Sequence, residues 1–227
     1  MSLIVNEGAG QPIPLLPEDV YPAVCCMLVD LGEQYSEKFG NTARKVLISW
    51  ELPDEKLENG ETRRLSNTYT ASLNSKGNLR KDLISWRGRD FTVDELKKFD
   101  LRNIVGAPCM LSVVHKVGQD GTKRAVIGGI MKLPKGMKVP ALTNGFTIFD
   151  LDEEGADVAI NELPEWIQNR IMESETWKNR QADIDEREYA KAEQAAVSEE
   201  RAAEPAPAQE ESDFFKEING SDAVAPF

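Results

Sequence analysis

The side chains best suited to binding chemistry are basic and aromatic residues gathered in one stretch of the sequence. Residues 63–138 carry 16 basic and 6 acidic residues, although the whole chain has a net charge of −12. Proteins bind single-stranded nucleic acid through a cationic groove that follows the phosphates and through aromatic rings on which bases stack. The competing interpretation is that these charges form an ordinary solvated surface. Candidates for the two binding roles are Arg63, Arg64, Tyr69, Lys76, Arg80, Lys81, Trp86, Arg87, Arg89, Phe91, Lys116, Lys123 and Arg124.

The aromatic residues differ in how well they suit a stacking role. Trp50 and Trp86 each follow an Ile-Ser pair in an apolar segment, so both suit the core better than an exposed surface. Tyr69, between two threonines, suits either environment. Tyr35 and Phe39, in the loop after the first predicted strand, are alternative stacking residues. The sequence leaves open which of these rings meets a base.

The negative net charge does not exclude a nucleic-acid partner, because the two parts of the chain differ in sign. Residues 1–145 carry 20 basic and 17 acidic residues, whereas residues 146–227 carry 7 basic and 22 acidic residues. Such asymmetry favours a basic binding body that carries an acidic tail.

Motifs for catalysis are missing from the sequence, so we expect no enzyme, no cofactor and no metal. There is no GxxxxGK[ST], HExxH, GxSxG or paired CxxC motif, and His115 is the one histidine. A zinc site from Cys25, Cys26, Cys109 and His115 is disfavoured, because adjacent strand residues point to opposite faces. The three cysteines show no disulfide pattern, and we see neither a secretory leader nor a long apolar run. These features predict a cytoplasmic protein without a membrane span.

The order of the predicted elements indicates a mainly β fold. Five strands with a helical insertion between the third and fourth is the order of the OB-fold, a five-stranded Greek-key barrel. A β-sandwich is the competing architecture, although it needs about seven strands and no helical insertion. Strands are predicted at 21–34, 44–53, 63–73, 107–118 and 123–134, and helices at 76–86 and 93–99, with Thr92 as the N-cap of the second helix.

Composition divides the chain into four segments. An irregular arm, 1–19, precedes an OB-fold domain for single-stranded DNA at 20–150. A linker and an amphipathic helix follow at 151–180, with the helix predicted at 162–180 and Trp166, Ile167, Arg170 and Ile171 along one stripe. The Ala-, Glu- and Pro-rich segment 181–227 is predicted to be a disordered acidic tail.

Several segments together resemble the single-stranded-DNA-binding proteins of bacteriophages and related mobile elements. These segments are VYPAVCCMLVDLG, RKVLISWELP, NTYTASL, LRKDLISWRGRDFT and DLRNIVGAPCMLSVVHK, followed by Leu-Pro-x-Trp-Ile at 163–167. The resemblance spans residues 20–135 and this last segment. It implies an OB-fold that coats exposed single strands during replication or recombination, in the cytoplasm of a bacterial host.

The carboxyl end is similar to that of bacterial single-stranded-DNA-binding proteins, whose acidic tails close with a hydrophobic residue after proline. Pro226 and Phe227 match that ending, and the resemblance implies that Asp222, Pro226 and Phe227 dock replication or recombination proteins. A partner could bury the ring and pair a basic residue with the terminal carboxylate. Acidic residues just before the end are sparse, because Asp222 stands alone between Glu217 and the terminus.

These observations predict a non-enzymatic protein that binds single-stranded DNA with little regard to sequence and recruits partner proteins through its tail. The alternative is an interaction or assembly adaptor whose OB-fold binds protein and whose tail mimics nucleic acid. The sequence does not indicate the oligomeric state.

Overall fold

The structure is a computed structural model that describes residues 14–37 and 40–203, with side chains up to residue 195. Phe39 and the predicted docking residues Asp222, Pro226 and Phe227 lie outside the described residues. The chain divides into two units, Met1–Arg180 and Gln181–Phe227. Its strands are β1 (Val20–Ser36), β2 (Asn41–Lys56), β3 (Thr62–Thr70), β4 (Pro108–Val117), β5 (Lys123–Met131) and β6 (Thr147–Phe149). Its helices are α1 (Asn78–Arg87), α2 (Val93–Lys97), α3 (Ala156–Ala159), α4 (Glu165–Met172) and α5 (Glu175–Ala203), with 3₁₀ turns at Leu101–Ile104 and Ile160–Glu162.

The protein is a mixed α/β structure built on a mostly antiparallel sheet with the strand order β3-β2-β1-β4-β5. The short strand β6 adds to the sheet by pairing in parallel with β1. The five predicted strands and the helical insertion are present, but the predicted closure into a barrel is wrong. Within the described residues no ladder joins β3 to β5, although their Cα atoms come within 8 Å.

Strand β1 is the centre of the sheet and is covered on both faces. Adjacent residues Cys25 and Cys26 are both buried, each in a different hydrophobic cluster. Successive strand residues point to opposite faces, so the two clusters lie on opposite sides of the sheet. The first cluster takes in α1 through Leu79, Leu83 and Trp86, as their helical spacing predicts. The second takes in α4 and the segment before it.

Gly32 lies inside β1 and within the predicted strand 21–34. The register of β1 against β2 shifts between Asp30 and Glu33, which marks a bulge. Gly32 has a φ of 69°, and a Cβ there would come within 2.7 Å of the Ser174 hydroxyl. Glycine therefore permits both the left-handed backbone and the close approach of the segment that joins α4 to α5.

Ser174 divides the predicted helix 162–180 into α4 and α5. Its buried hydroxyl donates to the carbonyl of Ile171 at 2.6 Å and accepts from the backbone N–H of Trp177 at 3.0 Å. The second bond is an N-cap, which starts a new helix at Glu175. Helix α5 runs to Ala203, through the first part of the segment that the sequence predicts to be disordered.

Residues 14–19, part of the predicted irregular arm, cross between β3 and β4. Arg63 donates to the Pro14 carbonyl at 2.7 Å, and the ring of His115 is hydrogen-bonded to the Leu16 carbonyl at 2.7 Å. The Leu16 side chain is buried in the first cluster. This segment therefore connects β3 with β4 and adds Leu16 to the first cluster.

Ile167 tests the packing of α4 on the sheet. We expect Ile167→Ala to lower the free energy of unfolding by about 2–5 kcal/mol, because the side chain is fully buried and its removal leaves a cavity. Urea denaturation measures the loss. Met172→Ala, on the same helix but 40% exposed, is the matched control. Equal losses in the two variants would contradict the packing described here.

Candidate nucleic-acid interface

Arg87 and Arg89 are held in an internal ion-pair cluster around Glu95. Both guanidinium groups bond to the Glu95 carboxylate, Arg89 at 2.7 Å. Glu95 also accepts from the backbone N–H of Thr92, whose hydroxyl caps α2 as predicted. The Arg87 guanidinium lies 4.3 Å from the centre of the Phe91 ring. These contacts fix the turn between α1 and α2, which is a structural role for two predicted binding residues.

Three further arginines of the predicted set also have internal partners. Arg80 pairs with Asp90 at 3.1 Å, and Arg124 pairs with Asp120 at 2.5 Å across the β4–β5 turn. Arg63 donates to the backbone of residue 14. Exposed ion pairs of this kind contribute little stability, but a phosphate would have to compete with each carboxylate.

Tyr69 and Trp86 belong to the core. The Tyr69 hydroxyl donates to Asp82 at 2.8 Å, and burial raises the pKa of this phenol above its ordinary value. The indole N–H of Trp86 donates to the Pro108 carbonyl at 2.8 Å, and its ring packs against Trp50 with centroids 5.8 Å apart. Neither ring is open to a base without unpacking the core.

The cysteines are separated as the strand pattern predicted. Cys25 and Cys109 share the first cluster, whereas Cys26 lies in the second. Burial raises the pKa of the Cys25 thiol to about 12 and that of Cys26 to about 11. All three are free and act as small apolar core residues.

A groove of about 750 Å³ lies where β3 ends and the β1–β2 turn begins. We call it the Tyr35 groove, after its exposed aromatic residue, which is 62% accessible. Among the residues that the structure describes, no aspartate or glutamate lines it, although carboxylates are numerous in the chain. The lining residues are Gln34, Tyr35, Ser36, Lys45, Asn67, Thr68, Tyr69, Thr70, Ser72, Asn74, Lys76, Gly77, Asn78 and Arg170.

The Tyr35 groove combines free cations with hydrogen-bonding groups. Lys76 and Arg170 are exposed, and neither side chain forms an ion pair within the described part of the chain. The Lys45 ammonium donates to the hydroxyl of Thr70 at 2.7 Å, which holds it along the wall of the groove. Amide and hydroxyl groups make up most of the remaining lining. This arrangement attracts phosphate and offers one exposed ring for stacking.

The structure brings only part of the predicted set to this groove. Of the predicted residues, Lys76 and the buried Tyr69 line it, and so does Tyr35, which the sequence offered as an alternative stacking residue. Lys45 and Arg170 were missed, because Lys45 lies outside the basic stretch and Arg170 lies on a later helix. The remaining exposed predicted cations lie elsewhere. They are Arg64 on β3, Lys81 on α1, Arg89 in the Glu95 cluster, and Lys116, Lys123 and Arg124 at the β4–β5 hairpin.

Comparison with known proteins leaves the family of this chain open. The sequence matches no protein-family model, and a search of curated proteins finds no relative. Among the described residues, no helix is both long and apolar enough to cross a membrane.

Glu95 provides a pH-dependent test of the ion-pair cluster. The pKa of Glu95 is lowered from 4.5 to about 2. The largest cause is the side-chain hydrogen bond that Arg89 donates, and the next is the hydrogen bond from the backbone N–H of Thr92. A carboxyl group with a lowered pKa stabilises the fold above its ordinary pKa, and this contribution is lost as the pH falls. We therefore expect the stability advantage of the natural protein over Glu95→Gln to shrink between pH 4.5 and 2.

Chemical denaturation at several pH values measures that difference. Glu58→Gln is the matched control, because Glu58 is exposed on a turn and forms no ion pair with any described residue. A Glu95→Gln difference that stays constant over this range would show that the cluster does not stabilise the ionised carboxylate.

Proposed function

We propose that this protein binds single-stranded DNA with little regard to sequence and that the Tyr35 groove is the centre of the binding surface. The observation that carries the proposal is a groove whose described lining residues include three cationic side chains, one exposed tyrosine and no carboxylate. The cations neutralise phosphates, and the ring stacks on a base. Threonine, serine and asparagine groups in the lining bond to phosphates or bases of any sequence.

The strand order supports the same proposal. The order β3-β2-β1-β4-β5 is that of an OB-fold opened between β3 and β5, and we infer an OB-like body. OB-folds bind oligonucleotides on the face of strands 2 and 3 and at the loop between strands 1 and 2. Part of the lining of the Tyr35 groove comes from the corresponding region, namely the end of β1, Lys45 of β2 and residues 67–70 of β3. The loop before α1 and Arg170 of α4 supply the rest of its cations.

The resemblance to bacteriophage single-stranded-DNA-binding proteins specifies the proposal further. We infer a role in coating exposed strands during replication or recombination, with DNA as the natural ligand. The terminal residues Asp222, Pro226 and Phe227 are then the docking site for replication or recombination proteins. Oligonucleotides of RNA and duplex DNA, assayed beside single-stranded DNA, distinguish this role from general binding of polyanions.

Salt dependence tests the groove directly. We expect the double variant Lys76→Ala/Arg170→Ala to bind oligo-dT more weakly than the natural protein. Each lost phosphate contact should also make the plot of log K against log salt shallower by about 0.7, or about 1.4 for the pair. Fluorescence anisotropy of a labelled oligonucleotide over a range of salt concentrations measures both effects.

The control for that experiment removes the same charge elsewhere. Lys97 and Lys135 are exposed and lie outside the Tyr35 groove, so Lys97→Ala/Lys135→Ala should keep the natural slope. Failure of the natural protein to bind single strands at low salt would overturn the proposed function. Equal slopes for the two double variants would remove the groove from the binding surface.

The acidic tail gives a separate prediction. Residues 204–227 carry 6 acidic and 1 basic residue, and this charge competes with DNA for the cationic groove. A chain ending at Ala203 should therefore bind oligo-dT more tightly than the full chain, with the difference fading as salt screens the tail. This truncation keeps α4, since removal of Ile167 and Ile171 would open the second cluster.

The matched control for truncation is Phe227→Ser in the full chain, which keeps the charge of the tail and removes its terminal ring. We expect this variant to bind DNA as the natural protein does and to lose the docking of partner proteins. Weaker DNA binding by the truncated chain would show that the tail does not compete for the groove.

A further inference from the structure

A second groove lies at the other end of the same strand pair. It has a volume of about 840 Å³, and we call it the Trp166 groove after the exposed tryptophan on α4. The chain has four tryptophans, all of them in the described residues, and Trp50, Trp86 and Trp177 are buried. Trp166 is 53% exposed. The lining residues are Leu57, Asn59, Gly60, Glu61, Thr62, Arg64, Thr143, Asn144 and Trp166.

One face of β2 and β3 connects the two grooves. The paired residues on this face run from Lys45 and Thr70 in the Tyr35 groove to Glu51 and Arg64 beside the Trp166 groove. Between them lie the pairs Leu47–Thr68 and Ser49–Ser66, and the two serine hydroxyls bond at 2.8 Å. Leu47 and Ser49 are buried and Ser66 is exposed, so the open part of this floor lies on β3 and is polar. Arg64 and Thr70 are six residues apart, which is about 20 Å along a strand.

Helix α4 forms a wall along this face. Ile167 and Ile171 are buried in the second cluster and hold the helix on the sheet. Trp166 and Arg170 are exposed and lie four residues apart, hence on one side of the helix. Arg170 lines the Tyr35 groove and Trp166 lines the second groove, so one helix contributes to both.

A fully buried carboxylate organises the floor of the Trp166 groove. Glu51 accepts from the backbone N–H of Thr143 at 2.8 Å, and its second oxygen lies 3.8 Å from the Arg64 guanidinium. That second oxygen has no hydrogen-bond partner in the structure. Glu51 thus ties two walls of the groove together, while the Arg64 side chain remains 40% exposed.

We propose that the Trp166 groove is a second subsite for the same nucleic-acid strand, in which one nucleobase stacks on the indole of Trp166. Asn59 and Asn144 supply hydrogen-bonding groups for the base edge, and Arg64 supplies a cation for a neighbouring phosphate. Glu61 is the one acidic residue among the described lining residues. The strand passes from this subsite over the serine floor to the Tyr35 groove. This inference rests on the proposed function and adds a region outside the OB-like strands to the binding surface.

Trp166 makes the proposal testable through fluorescence, because it is the exposed tryptophan among four. Oligo-dT should quench the emission of the natural full-length protein. Trp166→Phe should lose this quenching and keep its affinity within about threefold, because a phenyl ring still stacks. Trp166→Ala should weaken binding by about 5- to 150-fold, the range found when a stacking ring is removed.

Met172→Ala is the matched control, since Met172 is partly exposed on the same helix and lines neither groove. It should keep both the quenching and the affinity of the natural protein. Oligonucleotide length adds a second readout. The loss of affinity in Trp166→Ala should appear only with oligonucleotides long enough to span both grooves. With shorter oligonucleotides the variant should bind as tightly as the natural protein.

The outcomes separate this proposal from the function on which it rests. If the natural protein binds DNA but Trp166→Ala binds as tightly as Met172→Ala, the second subsite is wrong and the Tyr35 groove stands. Quenching that persists in Trp166→Phe would equally overturn the second subsite. No binding by the natural protein overturns both proposals.

Discussion

The structure depends on the need to bury both faces of β1. Its central residues are apolar without alternation, and Cys25 and Cys26 are equally buried on opposite sides. A strand of this kind is stable only with a layer on each face, because apolar surface left in water costs about 25 cal/mol per Å². Helix α1 provides one layer, and α4 with its preceding segment provides the other. The grooves lie where the second layer ends and the outer face of β3 is left open.

Whether a cation of the basic stretch is left without an ion pair depends on the carboxylates that the fold places beside it. Arg80, Arg87, Arg89 and Arg124 each have a carboxylate partner within the fold. Their charges raise the basic count of the sequence but are already compensated locally. The free cations of the Tyr35 groove come instead from β2, from the loop before α1 and from α4. Among the described residues, the Tyr35 groove is therefore distinguished by the absence of carboxylates in its lining more than by a surplus of arginine.

The sequence predicted most of the local structure. All five main strands and both helices of the insertion are present, and Thr92 caps α2 through the predicted first-turn contact. The errors have physical causes. Ser174 divides the predicted helix 162–180, because its hydroxyl caps the helix that follows. The stretch from Gln181 looked disordered by composition, yet α5 continues into it, since alanine and glutamate also favour helices.

The sequence by itself determined the order of the strands along the chain, the helical insertion, the uneven charge of the chain and the preference of Trp50 and Trp86 for the core. These features follow from local periodicity and composition, which do not depend on distant residues. Only the tertiary structure decided that the sheet stays open, that Tyr69 is buried and that Trp166 is exposed. It also placed Lys45, Lys76 and Arg170 in one groove. The reason is that exposure and ion pairing depend on contacts between residues far apart in the chain, which periodicity does not encode.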